Sequence, residues 1–506
     1  MTNLYDALSA RFPADRAKTA LDLADGRRIS YGALEAASAR IANLLRRLGV
    51  APGDRVMVQV DKSPEVVSLY LGCLRAGAIY LPLNTAYTRG EVAYFAGDAE
   101  PALVICQPAR LAEIEAVAQP VGARAVLTLG AAGEGTLAEA AAAESDSFET
   151  LPRGPDDLAA ILYTSGTTGR SKGAMLSHDN LLSNALTLHD YWGFRPDDVL
   201  LHALPIFHTH GLFVATNCAL LAGATMLFQP KFDAAEALLL LPRATVMMGV
   251  PTFYVRLLEQ EGLTEELCRG MRLFISGSAP LLVDTFEQFR QRTGHTILER
   301  YGMTETNMNT SNPLDGERRA GTVGFPLPGV SLRVVDDHAK TLPPGEIGVL
   351  EVKGPNVFKG YWRMLEKTAA EFRADGFFIT GDVGVVDDRG YVSIVGRAKD
   401  LIISGGFNIY PKEVESLIDA IPGVEESAVI GLPHPDFGEA VAAVVKMHPG
   451  AVPLDPAAVQ AALQDQLARF KQPKAVFVVA EIPRNAMGKV QKAALRTQYQ
   501  ATFTAV

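Results

Sequence analysis

The run Tyr163–Gly173, YTSGTTGRSKG, concentrates groups that donate hydrogen bonds to an anion. Thr164, Ser165, Thr167 and Thr168 set hydroxyls around Gly166 and Gly169, and Lys172 adds a cation on a long stem. Glycines let a backbone wrap closely round phosphate oxygens, so that successive N–H groups point at the charge. A loop of this kind suits a polyphosphate. It is not a P-loop, which needs four residues between its glycines and a lysine directly after the second. Here two residues separate Gly166 from Gly169, and Lys172 stands three after Gly169. The competing reading is an ordinary polar turn after the strand Leu158–Tyr163.

Four other segments could carry chemistry. Tyr301-Gly302-Met303-Thr304-Glu305 follows a strand-like segment, His295–Leu298, and reads as one tight turn. Its hydroxyl and carboxylate suit a phosphate and a Mg²⁺ ion, which takes oxygen ligands and typically one carboxylate plus substrate phosphates. Alone, Glu305 also fits an acid at a helix N-terminus. Thr380-Gly381-Asp382 reads as a strand end whose carboxylate can accept from both hydroxyls of a ribose, or as a plain turn. Arg397 is a second ribose or phosphate candidate, with a surface ion pair to Asp400 as the alternative. Ser404-Gly405-Gly406, followed by Phe407, allows close backbone approach to a ligand, or marks a turn. Pro483–Lys489 puts Lys489 on a glycine-flexed loop, where a lysine is ordinarily just solvated.

These residues need a scaffold, and the chain's patterning supplies one. Amphipathic helices at Leu34–Leu48 and Glu65–Ala76 alternate with apolar strands at Arg55–Val60, Ile79–Leu83, Leu103–Cys106 and Ala125–Leu129. The alternation continues through Val199–Leu204, Thr225–Phe228, Val246–Val250 and Leu273–Ser276. Such alternation predicts α/β layers with mostly parallel strands. From about Gly321, short strands between Gly/Pro/Asp turns predict a β-rich subdomain over about 321–396, closing an N-terminal domain of residues 1–396. Residues 397–506 then read as a small α+β domain.

Composition excludes several functions. A net charge of −10 argues against non-specific nucleic-acid binding and against an anionic membrane surface. An anionic substrate therefore needs a local positive pocket. No apolar run reaches the ~18 residues of a membrane span, and the first residues lack the apolar core of a secretory signal. Cys73, Cys106, Cys218 and Cys268 are scattered without a CxxC pair, which predicts buried thiols and a cytoplasmic location.

Taken together, YTSGTTGRSKG, SGSAP (276–280), YGMTE, TGD, GRAKDLIISGGFNIYPKEVE (396–415) and PRNAMGKVQK (483–492) resemble the adenylate-forming superfamily of acyl-CoA synthetases, adenylation domains and luciferases. HALPIFHTHGLF (202–213) and LERYGMTETNMNTSNPLDG (298–316) are most similar to its malonyl-CoA synthetases. The resemblance implies two steps: ATP and a carboxylate give an acyl-adenylate and pyrophosphate, and CoA then displaces AMP. It also implies roles. Thr164, Ser165, Gly166, Thr167, Thr168, Gly169 and Lys172 would cradle the β/γ-phosphates. Gly277, Ser278, Ala279 and Tyr301 would line the adenine slot, with Gly302 and Met303 beside it. Thr304 would bind the α-phosphate and Glu305 the Mg²⁺. Asp382 would hold the ribose, with Arg397 near it. Lys489 would stabilise charge in adenylation, Lys399 would be the hinge of a rotating C-terminal domain, and Ser404, Gly405, Gly406 and Phe407 would serve the CoA channel.

Arg300, directly before YGMTE, stands where relatives using fatty or aromatic acids commonly have glycine, at the border of the acyl pocket. A buried guanidinium beside an apolar tail costs several kcal/mol. A second carboxylate on the substrate removes that cost, and arginine suits bidentate capture of one. Malonate has one carboxylate to activate and one to hold; methylmalonate shares that chemistry. Alternatively Arg300 pairs with Glu299 and faces away. His208 matches a histidine that gates the family's acyl pocket. His210, protonated or donating, reads as a second ligand of the distal carboxylate or as a packed core histidine. Ser276 and the run Asn307–Ser311 add weaker donors. Two other functions fit less closely: ligation of another short acid to CoA, and loading of a separate carrier protein.

Overall fold

The structure is a computed structural model that describes residues 3–164, 171–404, 407–451, 454–464, 466–485 and 488–503. Packing divides the chain into two compact units. One is Met1–Ser331 with Val352–Phe378, and the other is Leu332–Glu351 with Ile379–Val506. The sequence places a boundary instead at 396/397. Packing density and the pivot of a moving domain are different quantities, so that boundary is taken up again below as a proposal.

The first unit holds two largely parallel sheets. A six-stranded sheet runs in the order Ala125–Thr128, Leu103–Cys106, Arg55–Gln59, Ile79–Pro82, Leu158–Thr164, Lys172–Ser177. Its last two strands are antiparallel, with Thr164 opposite Lys172. The second sheet has nine strands. Its centre is Leu298–Met303, Leu273–Ser276, Val246–Gly249, Val199–His202 and Thr225–Phe228. Strands such as Leu273–Ser276 and Val246–Gly249 are buried along their whole length, which explains their unbroken apolar runs.

The helices begin and end where local chemistry dictates. Helix Tyr31–Arg47 starts at Ser30, whose hydroxyl accepts from the Ala33 N–H. Helix Pro64–Ala76 opens on a proline and closes at Gly77 in the left-handed conformation. In parallel register Gly249 lies beside Ser276, so the carboxyl ends of the central strands line one edge. Ligands of α/β sheets collect at that edge.

Two local expectations need correction. Tyr301, Gly302 and Met303 do not lie on a turn: they complete the strand Leu298–Met303, which pairs antiparallel with Asn307–Ser311. That partner strand is polar in sequence yet fully buried, which hides it from a hydrophobicity reading. Only Thr304–Thr306 form the turn. Thr380-Gly381-Asp382 likewise lies inside the nine-residue strand Phe378–Val386, a central strand of its sheet whose pairing with Val392–Arg397 starts at Asp382.

The second unit contains a four-stranded sheet, Ser331–Val335, Gly348–Lys353, Phe378–Val386 and Val392–Arg397. A five-stranded sheet is built on the long hairpin Val424–His434 and Gly438–Met447, with Ala475–Val479 added parallel. Helices Pro411–Asp419 and Pro456–Leu463 cover it, around Ile402, Ile409, Val414, Ile418, Val429 and Val441. The fold is therefore mixed α/β, as expected. All four cysteines are buried free thiols. Among the described residues no helix is long and apolar enough to cross a membrane.

Candidate active site

The centre of the site is the chain segment Ser276-Gly277-Ser278, where strand Leu273–Ser276 ends. Arg300, on the neighbouring strand, lies against it: a Cβ on Gly277 would fall 2.5 Å from the guanidinium carbon. Any larger residue there would displace the guanidinium from this position. Arg300 is only 3% exposed. Its Nε and Nη2 are buried and find no hydrogen-bond partner. Burial pushes its pKa down to about 9, while Tyr254 and Glu299 pull it back up. At neutral pH it is still a cation. Glu299 accepts a hydrogen bond from the Leu281 N–H at 3.0 Å. Successive residues on a strand point to opposite faces, and the alternative in which Glu299 neutralises Arg300 by direct pairing is not what forms.

His210 opens the π-helical turn His210–Thr216 and is 1% exposed. Its Nδ1 lies 3.2 Å from Ser278 Oγ, and its Nε2 is buried without a partner. Burial, then the charge on Arg300, then His208 and His202 hold its pKa well below the usual histidine range. The ring is therefore neutral, so that only the protonated form of the expected ligand is excluded. The His210 backbone N–H donates to His208 Nδ1 at 3.3 Å. Ser276 Oγ is a further buried atom without a partner. Ser278 has a φ of +72°, a strained value for a serine. A guanidinium, an imidazole and a hydroxyl thus sit round one strand end with unmet hydrogen bonds, in a place where each unmet bond costs ~1–3 kcal/mol.

A second cluster in the same unit surrounds Glu305. Its carboxylate is buried and accepts from Thr164 Oγ1 at 3.3 Å and from the Tyr361 hydroxyl at 3.1 Å. The single Tyr361 hydroxyl proton is shared between Glu305 and the nearer Glu371, at 2.7 Å. Lys172 reaches Glu371 at 3.2 Å and lies 3.9 Å from the centre of the Tyr361 ring. Burial alone would raise the Glu371 pKa. Hydrogen bonds from Lys367 and Tyr361 and the charge on Lys172 win, and hold it below the usual carboxylate range. Thr164, Lys172 and Glu305 are thus brought together around Tyr361 and Glu371. Ser165, Gly166, Thr167, Thr168 and Gly169 lie outside the described residues.

In the second unit, Asp382 is buried and pairs with Arg397 at 2.6 Å. The alternative partner of Arg397, Asp400, is taken instead by Arg496 at 2.7 Å. Lys399 lies in the 3₁₀ turn Ala398–Asp400. Lys489 sits on a tight loop, its N–H on Asn485 Oδ1 at 3.0 Å and its carbonyl on the Asn485 N–H at 2.9 Å. Ser404 is buried and Phe407 exposed, while Gly405 and Gly406 lie outside the described residues.

Residues 8–362 match the family model described as AMP-binding enzyme, and residues 413–489 match that of the AMP-binding enzyme C-terminal domain. The chain belongs to the AMP-binding enzyme family. A malonate–CoA ligase from Arabidopsis thaliana is 35% identical over 94% of this chain and 85% of its own. An indoleacetate–CoA ligase from Aromatoleum aromaticum is 36% identical over 94% of each. Overall identity at this level therefore does not separate a small diacid from an aromatic acid. Among solved structures, ATP-bound MatB from Rhodopseudomonas palustris is 61% identical, with a TM-score of 0.97 over 99% of each chain.

Sequence reasoning missed Tyr361 and Glu371 of this AMP-binding enzyme. Both come from the segment after the β-rich strands begin, about 55 residues or more beyond Glu305. The one available signal was Tyr361 itself, an aromatic hydroxyl in the loop FKGYW with no apolar periodicity to explain it.

Proposed function

We propose that this AMP-binding enzyme is a malonate–CoA ligase, converting malonate, ATP and CoA to malonyl-CoA, AMP and pyrophosphate through malonyl-adenylate. One observation carries the reading: Arg300 is a buried cation with two unpartnered N–H groups beside unpartnered His210 Nε2. A substrate with a spare carboxylate meets both donors, and an uncharged tail meets neither. The likeness to relatives named for malonate supports the same choice. Methylmalonate adds one methyl to the same diacid and is a secondary substrate on this reading.

In the first step, a carboxylate oxygen of malonate bonds to the α-phosphorus of ATP and the bond to pyrophosphate breaks. Arg300, His210 and Ser276 hold the distal carboxylate, and His208 gates the acyl side. Thr164 and Lys172, with the loop 165–169, grip the β/γ-phosphates, and Thr304 contacts the α-phosphate. Gly277, Ser278, Ala279 and Tyr301 line the adenine, and Asp382 with Arg397 takes the ribose. Catalysis is then mainly positioning and charge stabilisation. In the second step the CoA sulfur bonds to the acyl carbon and AMP leaves, with Ser404–Phe407 serving the thiol's approach.

The oxygen-only donors at Glu305, a buried carboxylate with the Thr164 hydroxyl beside it, fit a Mg²⁺ ion. That ion supplies charge neutralisation on the polyphosphate. Tyr361 orients the carboxylate through its hydroxyl. Four buried free thiols, which a reducing compartment keeps unpaired, support a cytoplasmic location.

The proposed mobile domain begins at residue 397, with Lys399 as its pivot. Lys399→Pro fixes φ. It should leave malonate-dependent pyrophosphate exchange within about twofold and reduce thioester formation by at least about a hundredfold. Equal loss of both half-reactions counts against the hinge. The overall reading is tested by the product: equimolar malonyl-CoA, AMP and pyrophosphate support it. ADP, or acylation only of a carrier protein, defeats it.

A further inference from the structure

We infer that Lys62, on the loop after strand Arg55–Gln59, is a positioning residue for the acid pocket, acting through His202 on the π-helical turn that carries His210. The inference deepens the reading of Arg300 and His210 as that pocket.

His202 ends the strand Val199–His202 and is fully buried. Its Nε2 lies 2.9 Å from the Gly211 carbonyl oxygen and 3.1 Å from Thr216 Oγ1. A carbonyl has no proton to give, so Nε2 must carry the ring hydrogen. Burial, then the charge on Lys62, keep His202 well below the usual histidine range, so the ring holds one proton only. Nδ1 is therefore a bare lone pair, and something must donate to it. Lys62 Nζ does so at 2.9 Å, and also donates to the His202 carbonyl at 2.8 Å. The described residues give Lys62 no carboxylate, its Nζ lies 4.2 Å from the Phe228 ring centre, and burial lowers its pKa. Even a neutral amine keeps two N–H bonds, enough for both acceptors.

The connection to the pocket is the Gly211 carbonyl. It accepts from His202 and, at 2.9 Å, from Thr216 Oγ1. The turn is tightly confined at this point: a Cβ on Gly211 would fall 2.1 Å from the Pro205 carbonyl oxygen. His210 is the next residue back along the chain, and its Nδ1 must meet Ser278. Removing the Lys62 donor makes the other His202 tautomer competitive. That tautomer sets a lone pair against the Gly211 oxygen, and the turn carrying His210 gives way. Nothing in the sequence marks Lys62, since its partner stands 140 residues away.

Lys62→Met keeps length and removes the donor, while Lys62→Arg keeps a donor. The methionine variant should raise the KM for malonate about tenfold, with kcat and the KM for ATP within about twofold, and arginine should restore most of the loss. Nitrogen-15 NMR of labelled histidine, with His202 assigned by its absence in His202→Gln, should show an Nε2–H ring in wild type and lose that signature in Lys62→Met. An unchanged malonate KM or an unchanged His202 tautomer overturns the inference. So does a parallel rise in the ATP KM with a lowered Tm, which marks a merely structural lysine. Should the wild type refuse malonate, the substrate reading fails on that arm. The tautomer and the KM for the acid it does accept then still decide the role of Lys62.

Discussion

Replacing Arg300 with methionine should lower kcat/KM for malonate by about a hundredfold to a thousandfold and leave the Tm of the ligand-free enzyme unchanged or raised. The two halves of this result have one cause. In the bound state the guanidinium is one partner of a desolvated charge pair, and truncating such a partner costs about 2–5 kcal/mol. In the free enzyme the same group is a buried cation whose Nε and Nη2 lack partners, so a well-packed apolar side chain relieves an existing cost. A residue kept for stability gives the opposite pattern: Tm falls and kinetics follow. The substitution should also narrow the gap between malonate and propionate, because propionate never used the cation. Lys172→Ala, by contrast, should weaken ATP binding without changing the preference among acids. Unchanged malonate kcat/KM in Arg300→Met removes the dicarboxylate argument.

Lys489→Ala should reduce malonate-dependent pyrophosphate exchange by about a hundredfold to a thousandfold, the usual effect of removing one donor to charge that develops in a transition state. Thioester formation from supplied malonyl-adenylate and CoA should stay within a few-fold of wild type. The loop that presents Lys489 is held by its own backbone, through Asn485 on both the N–H and the carbonyl. These backbone contacts do not depend on the side chain, and the split between half-reactions reads the loss of its charge. Normal pyrophosphate exchange in this variant means the lysine is misassigned.

The α/β layers were legible because parallel strands buried on both faces must be continuous apolar runs, and Leu103–Cys106, Thr225–Phe228 and Leu273–Ser276 are found where those runs predict. The nucleotide residues are proposed from another kind of signal: glycine, hydroxyl and lysine at fixed short spacings have few structural uses. Two kinds of feature escaped. The strand Asn307–Ser311 is made of polar residues buried by tertiary packing, so neither propensity nor alternation reveals it. Tyr361 reaches Glu305, Glu371 reaches Lys172 and Lys62 reaches His202 across long stretches of chain, and a side-chain hydrogen bond over such distances leaves no local pattern. Arg300 is proposed by a third route, its cost: a charge in an expected pocket demands a counter-charge. The structure adds the close approach over Gly277 and the two unmet N–H groups.

The most direct test of the central claim is the ratio of kcat/KM for malonate to that for propionate in the unmodified enzyme, measured by ATP- and CoA-dependent AMP release. The two acids differ chiefly in the second carboxylate. A site built to pair that group rejects the analogue lacking it, and the ratio should be at least about a thousandfold in favour of malonate. A ratio near one, or a preference for propionate, would contradict the account.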